Sequence, residues 1–169
     1  MKKKVLVLLV VAILAITPAM AARSTHGSSN DGDVGVGINL GLNNGLALKF
    51  GMGKFDIFAN IGLDVLHIGS DGLRLGGDVG VSYEVYDIDL GGPHHMPVTL
   101  GLMVPMSFFF GNNFAMNLGV LVHAGLEYQI PDIPLLFYLR LGLGIDMGLA
   151  PSFDLGFGAT GGIGIMYVF

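Results

Sequence analysis

The sequence predicts an all-β fold: an eight-stranded antiparallel transmembrane β-barrel in meander order. Three observations carry that expectation. Apolar residues recur at every second position through most of the chain, the signature of strands with two unlike faces. Charged residues make up only 12% of the sequence, against about 25% in ordinary soluble domains. Past the first 21 residues no apolar run approaches the roughly 20 residues that a membrane-crossing helix needs. A bilayer leaves no backbone N–H or C=O unpaired, so a hydrophobic chain without such a helix is left with a closed barrel.

The chain opens MKKKVLVLLVVAILAITPAMAA. Lys2, Lys3 and Lys4 form a basic n-region, 5–16 an apolar h-region, and Ala19-Met20-Ala21 an A-x-A cleavage site, so 1–21 reads as a secretory signal peptide. Residues 22–33 read as a flexible polar leader, and 34–169 as the barrel. The chain has no cysteine, so export is not used for disulfides. A formal charge of −5 argues against a nucleic-acid partner.

Strand one (34–42) sends Val34, Val36, Ile38, Leu40 and Leu42 to one face and mostly glycine to the other. Asn43-Asn44-Gly45 reads as a tight turn with Asn and Gly supplying positive φ. Strand two (46–52) follows, with Gly53-Lys54 as the next turn. Strand three (55–68) alternates Phe55, Ile57, Ala59 and Ile61 with Asp56, Phe58, Asn60 and Gly62, and Gly69-Ser70-Asp71-Gly72 turns the chain. Strand four (73–86) ends on an inward Tyr86. The stretch 87–97, DIDLGGPHHMP, then reads as the longest connection, because Gly-Gly-Pro breaks the pattern.

Strand five (98–108) contains Pro105, which has no N–H for a ladder, so a bulge is expected there. Strand six (114–128) alternates cleanly, and Pro131-Asp132-Ile133-Pro134 makes a rigid corner. Strand seven covers 135–147. Strand eight (153–169) is apolar or aromatic on one face, Phe153 to Phe169 by twos, and nearly all glycine on the other. No Lys, Arg, Asp or Glu falls on the outward face in mid-strand. A soluble barrel with an oily cavity would show the reverse. Outward aromatics gather toward the strand ends, as membrane interfaces require.

The inward face is where a site would lie. Lys49, Asp64, Arg74, Asp78, Glu84, His123, Glu127, Arg140 and Asp146 all point inward in this reading, with Asp56, Asn39, Asn60 and Tyr138 beside them. Eight strands leave an interior just wide enough for side chains, and buried charges must be paired. These residues therefore read as a space-filling polar network. Asp64 with Arg74 is one expected pair, and His123 is expected near Arg140. Inward glycines concentrate on strands one, seven and eight, which predicts a bare wall opposite a bulky one. His94-His95 is only a partial metal site, and neither a metal nor a cofactor is expected.

The last residues carry a resemblance. Gly164-Ile165-Met166-Tyr167-Val168-Phe169 is similar to the C-terminal signal of small bacterial outer-membrane β-barrel proteins of the eight-stranded OmpA/OmpX-like kind. Gly164, Tyr167 and Phe169 match its glycine, its aromatic third from the end and its terminal phenylalanine, while Gly162 stands where a polar residue is usual. The resemblance implies residence in the cell outer membrane, contact with outer-membrane lipids, recognition by the barrel-assembly machinery and a monomeric state. It implies a structural or at most narrowly pore-forming role, without enzymatic activity. The alternative is a lipid-modifying barrel enzyme, deacylase- or acyltransferase-like, with His67 and Ser70 as the residues inviting that comparison.

Overall fold

The computed structural model describes residues 32–63, 72–111 and 113–169. Eight strands follow one another: β1 Val34–Gly41, β2 Asn44–Met52, β3 Phe55–Leu63, β4 Gly72–Gly91, β5 His94–Gly111, β6 Ala115–Gln129, β7 Leu135–Ala150 and β8 Asp154–Val168. Each pairs antiparallel with the next, and β8 pairs back onto β1, so the meander closes into a ring. The all-β class, the strand number and the order are those the sequence predicts. The signal peptide, most of the leader, Asp64, His67 and Ser70 lie outside the described residues.

The ring is staggered. Following directly paired residues from Ile38 through Leu46, Ile61, Gly77, Met106, Leu118 and Met147 leads to Leu155 on β8. Ile38 itself pairs with Ile165, ten residues further along. A stagger of this kind tilts the strands against the ring axis, by roughly 35–45°.

Several local expectations are corrected. The stretch 87–97 is not a connection: β4 and β5 continue as a paired ribbon to Gly91 and His94, joined by Gly92 and Pro93. Gly91 and Gly92 have φ of 96° and 64°, so the Gly-Gly-Pro that looks like a break is a tight hairpin turn. Tyr86 does not face inward. The register shifts between Glu84 and Tyr86, and this bulge reverses the alternation, leaving Tyr86 66% exposed. The β1–β2 turn shows no positive φ at Asn43, Asn44 or Gly45. The Asn44 side chain closes it instead, accepting from Gly41 N at 3.0 Å and donating to Gly41 O at 2.9 Å.

Pro105 carries no bulge either. The β5–β6 register is the same on both sides of it, Met103 facing Leu121 and Met106 facing Leu118. Gly119, across the ladder, explains this: a Cβ there would sit 2.8 Å from Pro105 Cγ. With no side chain opposite, the proline ring is accommodated without an extra residue.

The two faces are sharply unlike. Outward positions are exposed and apolar: on β7, Leu141, Leu143 and Ile145 are each 58% exposed. Inward positions earlier on the same strand, Leu136, Tyr138 and Arg140, are buried. Among the described residues the exposed Lys, Arg, Asp and Glu are Lys54, Asp89, Asp132 and Asp154, and each lies in a turn or at the end of a strand.

Candidate functional site

Among the described residues most of the buried polar groups collect in the interior, and alternation puts them there. Each strand with an oily outward set turns its polar set in. Lys49 on β2 forms an ion pair with Glu127 on β6, and a second with Asp56 on β3 at 3.2 Å. Glu127 also accepts from Arg140 Nη2 of β7 at 3.2 Å. In a ring of eight, β2 and β6 stand opposite one another, so Lys49–Glu127 crosses the full diameter. These side chains are only 4–6% exposed. Two cations and two carboxylates thus neutralise one another where neither charge reaches water.

Arg140 joins this cluster to an aromatic one. Its guanidinium lies 3.9 Å from the centre of the Phe58 ring and 4.5 Å from that of Tyr138. Phe58 is on β3, again opposite Arg140 on β7, so this contact spans the interior too. Tyr138 donates to Asn39 Oδ1 at 2.8 Å, with Asn60 Oδ1 at 3.4 Å, and Asn60 donates to Asp78 at 2.6 Å. Asn39, Asn60, Asp78, Tyr138 and Arg140 line a cavity of about 20 Å³, room for one water molecule.

His123 sits one layer away. Its Nε2 lies 3.1 Å from Val81 O and 3.4 Å from Ser82 Oγ, and the ring meets Phe58 edge-on at 5.2 Å. His123 and Arg140 therefore share the Phe58 ring as a neighbour. A serine and a histidine this close suggest a nucleophile and its base. No carboxylate is hydrogen-bonded to Nδ1, and both residues are 1% exposed.

Five of the nine predicted interior residues thus meet in the central layers: Lys49, Asp78, His123, Glu127 and Arg140. Glu84 is half-buried at the end of the ring where β1 starts and β8 stops, the end of the strand termini. Arg74 and Asp146 are half-buried toward the opposite end, with Arg74 5.7 Å from the Phe109 ring. The Asp64–Arg74 pair falls outside the described residues. The bare wall is bare over only part of its height. On β7 the inward glycines Gly142, Gly144 and Gly148 occupy the half away from the termini, whereas Leu136, Tyr138 and Arg140 fill the other.

One glycine has a clear spatial reason. A Cβ on Gly164 would overlap the Tyr138 ring, so the bare backbone of β8 is the surface on which Tyr138 lies. Gly164→Ala is expected to displace Tyr138 from Asn39 and to lower stability by about 1–3 kcal/mol, measured by equilibrium urea unfolding. An unchanged midpoint would mean that the ring shifts freely. Further along β8, Tyr167 is 47% exposed and packs on Phe169 at 4.7 Å. Phe169 N donates to Val34 O at 2.9 Å, tying the last residue to the closing seam.

Outside the ring, the β4–β5 ribbon carries both adjacent histidines. His94 Nδ1 lies 2.8 Å from Tyr128 Oη and His95 Nδ1 2.8 Å from Asp87 Oδ2. They point to different partners, and among the described residues no three potential ligands come together around a metal position. No family model matches the chain, and no curated protein or solved structure matches it either.

Proposed function

We propose that the chain is an integral outer-membrane β-barrel protein, a monomer whose polar interior is filled by its own side chains. Its role is structural or, at most, that of a narrow pore. The observation that supports this reading is the inverted distribution of polarity: a closed ring with apolar residues exposed all round it and ionised groups paired inside. In water such a surface would aggregate; in lipid it is the surface required.

Two further features agree with it. A span takes roughly 9–11 tilted residues, and β2, with nine, is of that order. Outward aromatics form contacts at both rims, Phe55 with Tyr83 at 4.7 Å near the termini and Phe110 with Phe114 at 5.7 Å at the far end. On this reading the termini and the β4–β5 ribbon lie on the periplasmic side. The outer wall meets outer-membrane lipids, and Gly164, Tyr167 and Phe169 address the barrel-assembly machinery during biogenesis. The reading assigns no reaction.

The test is refolding into detergent. A folded barrel is expected to migrate faster on a gel before boiling than after it, and a chain that stays monomeric in buffer without detergent would overturn the proposal. Planar-bilayer recordings address the interior. The contacts across the diameter predict no large, steady conductance steps, and steps like those of a wide water-filled porin would contradict a filled interior.

A further inference from the structure

The outward wall carries an apolar furrow. Across β6, β7, β8 and β1, Leu126 faces Leu139, Leu139 faces Ile163 and Ile163 faces Leu40. A second row runs parallel to it, one outward position nearer the chain termini, from Tyr128 to Ile38. Between the rows lies an apolar groove of about 470 Å³, with Met96 of β5 beside its Tyr128 end.

We infer that this groove seats one acyl chain of a phospholipid whose head group rests on the Tyr128–His94 pair. The inference depends on the membrane reading above. Length is the first argument. From β5 to β1 the groove crosses four inter-strand steps of about 4.8 Å, some 19 Å in all, which is the reach of an extended fatty chain of ordinary length. Direction is the second. Because of the stagger, a paired row climbs away from the termini as it passes from β6 to β1, so the groove runs from the rim at Tyr128 up into the apolar wall at Leu40. A lipid anchored at that rim has its tail pointing the same way.

The third argument is the polar end. Tyr128 Oη and His94 Nδ1 stand 2.8 Å apart, with their rings stacked at 6.2 Å and 16°. His94 is exposed, so the pair offers hydrogen-bonding groups where the apolar lining stops. An occupant with one polar end and one long apolar end fits this better than a second copy of the chain, whose matching wall would present no head group there.

The wild-type protein, reconstituted in vesicles of phosphatidylethanolamine and phosphatidylglycerol and extracted into detergent, is examined by native mass spectrometry. Leu139→Trp fills the groove, whereas Leu143→Trp places the same bulk on the same strand and face outside it. Wild type and Leu143→Trp are expected to keep one phospholipid per chain, and Leu139→Trp to lose it about tenfold, the equivalent of 1.4 kcal/mol. Equal retention in all three, or a retained second protein chain in place of lipid, would overturn the inference. The heat-dependent gel shift reports whether each variant folds, and Ile163→Phe replaces Leu139→Trp if that one does not. Flotation with the vesicles separates the two ideas. A chain that floats but holds lipid regardless of Leu139 refutes the groove alone, whereas a chain that does not float refutes the membrane reading as well.

Discussion

Glu127→Ala is expected to cost about 3–5 kcal/mol of folding stability, because it breaks a buried ion cluster by removing the partner that two cations share. Lys49 would keep Asp56 at 3.2 Å. Arg140 would lose the carboxylate at its Nη2 and remain a buried cation between the Phe58 and Tyr138 rings. A ring face attracts a desolvated guanidinium by about 2 kcal/mol or more, but it carries no net charge to neutralise the buried cation. Set against a total of roughly 5–15 kcal/mol, this loss moves the urea midpoint far down or prevents folding.

A double variant distinguishes a broken pair from a merely smaller core. Glu127→Leu with Arg140→Leu removes both charges and replaces them with apolar bulk, and such exchanges are often neutral. The pair of changes together is expected to cost less than Glu127→Ala alone, with a coupling of about 0.5–3 kcal/mol between the two sites. Additive losses would mean that Glu127 and Arg140 do not depend on each other.

Val122→Arg carries the second large effect. Val122 lies at the middle of β6 and faces Leu143, the two being 61% and 58% exposed. On a protein surrounded by water, arginine at so exposed a position would change stability by less than about 0.5 kcal/mol. At the middle of a lipid-facing wall it costs about 2–4 kcal/mol. Unfolding of the variant in phospholipid vesicles is expected to show the larger loss. Arginine at Phe110, near a rim, is expected to cost only about 0–1 kcal/mol. Equal, negligible losses at both positions would place the wall in water.

Much of this architecture is legible in the residue order because alternation is a local property. Val122, Leu143 and Ile163 declare an outward face through their immediate neighbours, and Lys49 and Glu127 declare an inward one in the same way. What alternation cannot carry is a change of phase. The bulge beside Val85 reverses the faces of Tyr86 and Asp87, and no residue there announces an inserted position. Pro105 shows the converse. A residue that usually demands a bulge does without one because Gly119 stands across the ladder, a fact that depends on register between two strands. Gly91-Gly92-Pro93 resembles a break and is a turn, since the same residues serve both.

The central cluster was legible only as a list of inward groups. That Lys49 reaches Glu127, 78 residues away in sequence, depends on the ring closing and on a stagger accumulated over eight ladders. The expected nearness of His123 and Arg140 needs only the single β6–β7 ladder, in which His123 faces Gly142 and Gly125 faces Arg140, and what the fold adds is Phe58 between them. Its position across the ring could be placed only once the strands were in register.

If the proposed function holds, the exposed apolar wall faces lipid, and β7 tests this most directly. The chain has no cysteine, so single cysteines placed successively along Leu135–Ala150 accept a spin label without background. In vesicles the labels at Phe137, Leu139, Leu141, Leu143 and Ile145 are expected to be open to oxygen, which dissolves in lipid, and closed to a water-soluble nickel complex. Those at Tyr138, Arg140 and Gly142 are expected to be poorly open to both, giving an alternation of period two with its oxygen maximum near Leu143. Free access of the nickel complex to Leu141, Leu143 and Ile145 would contradict a lipid-facing wall, because that wall would then be facing water.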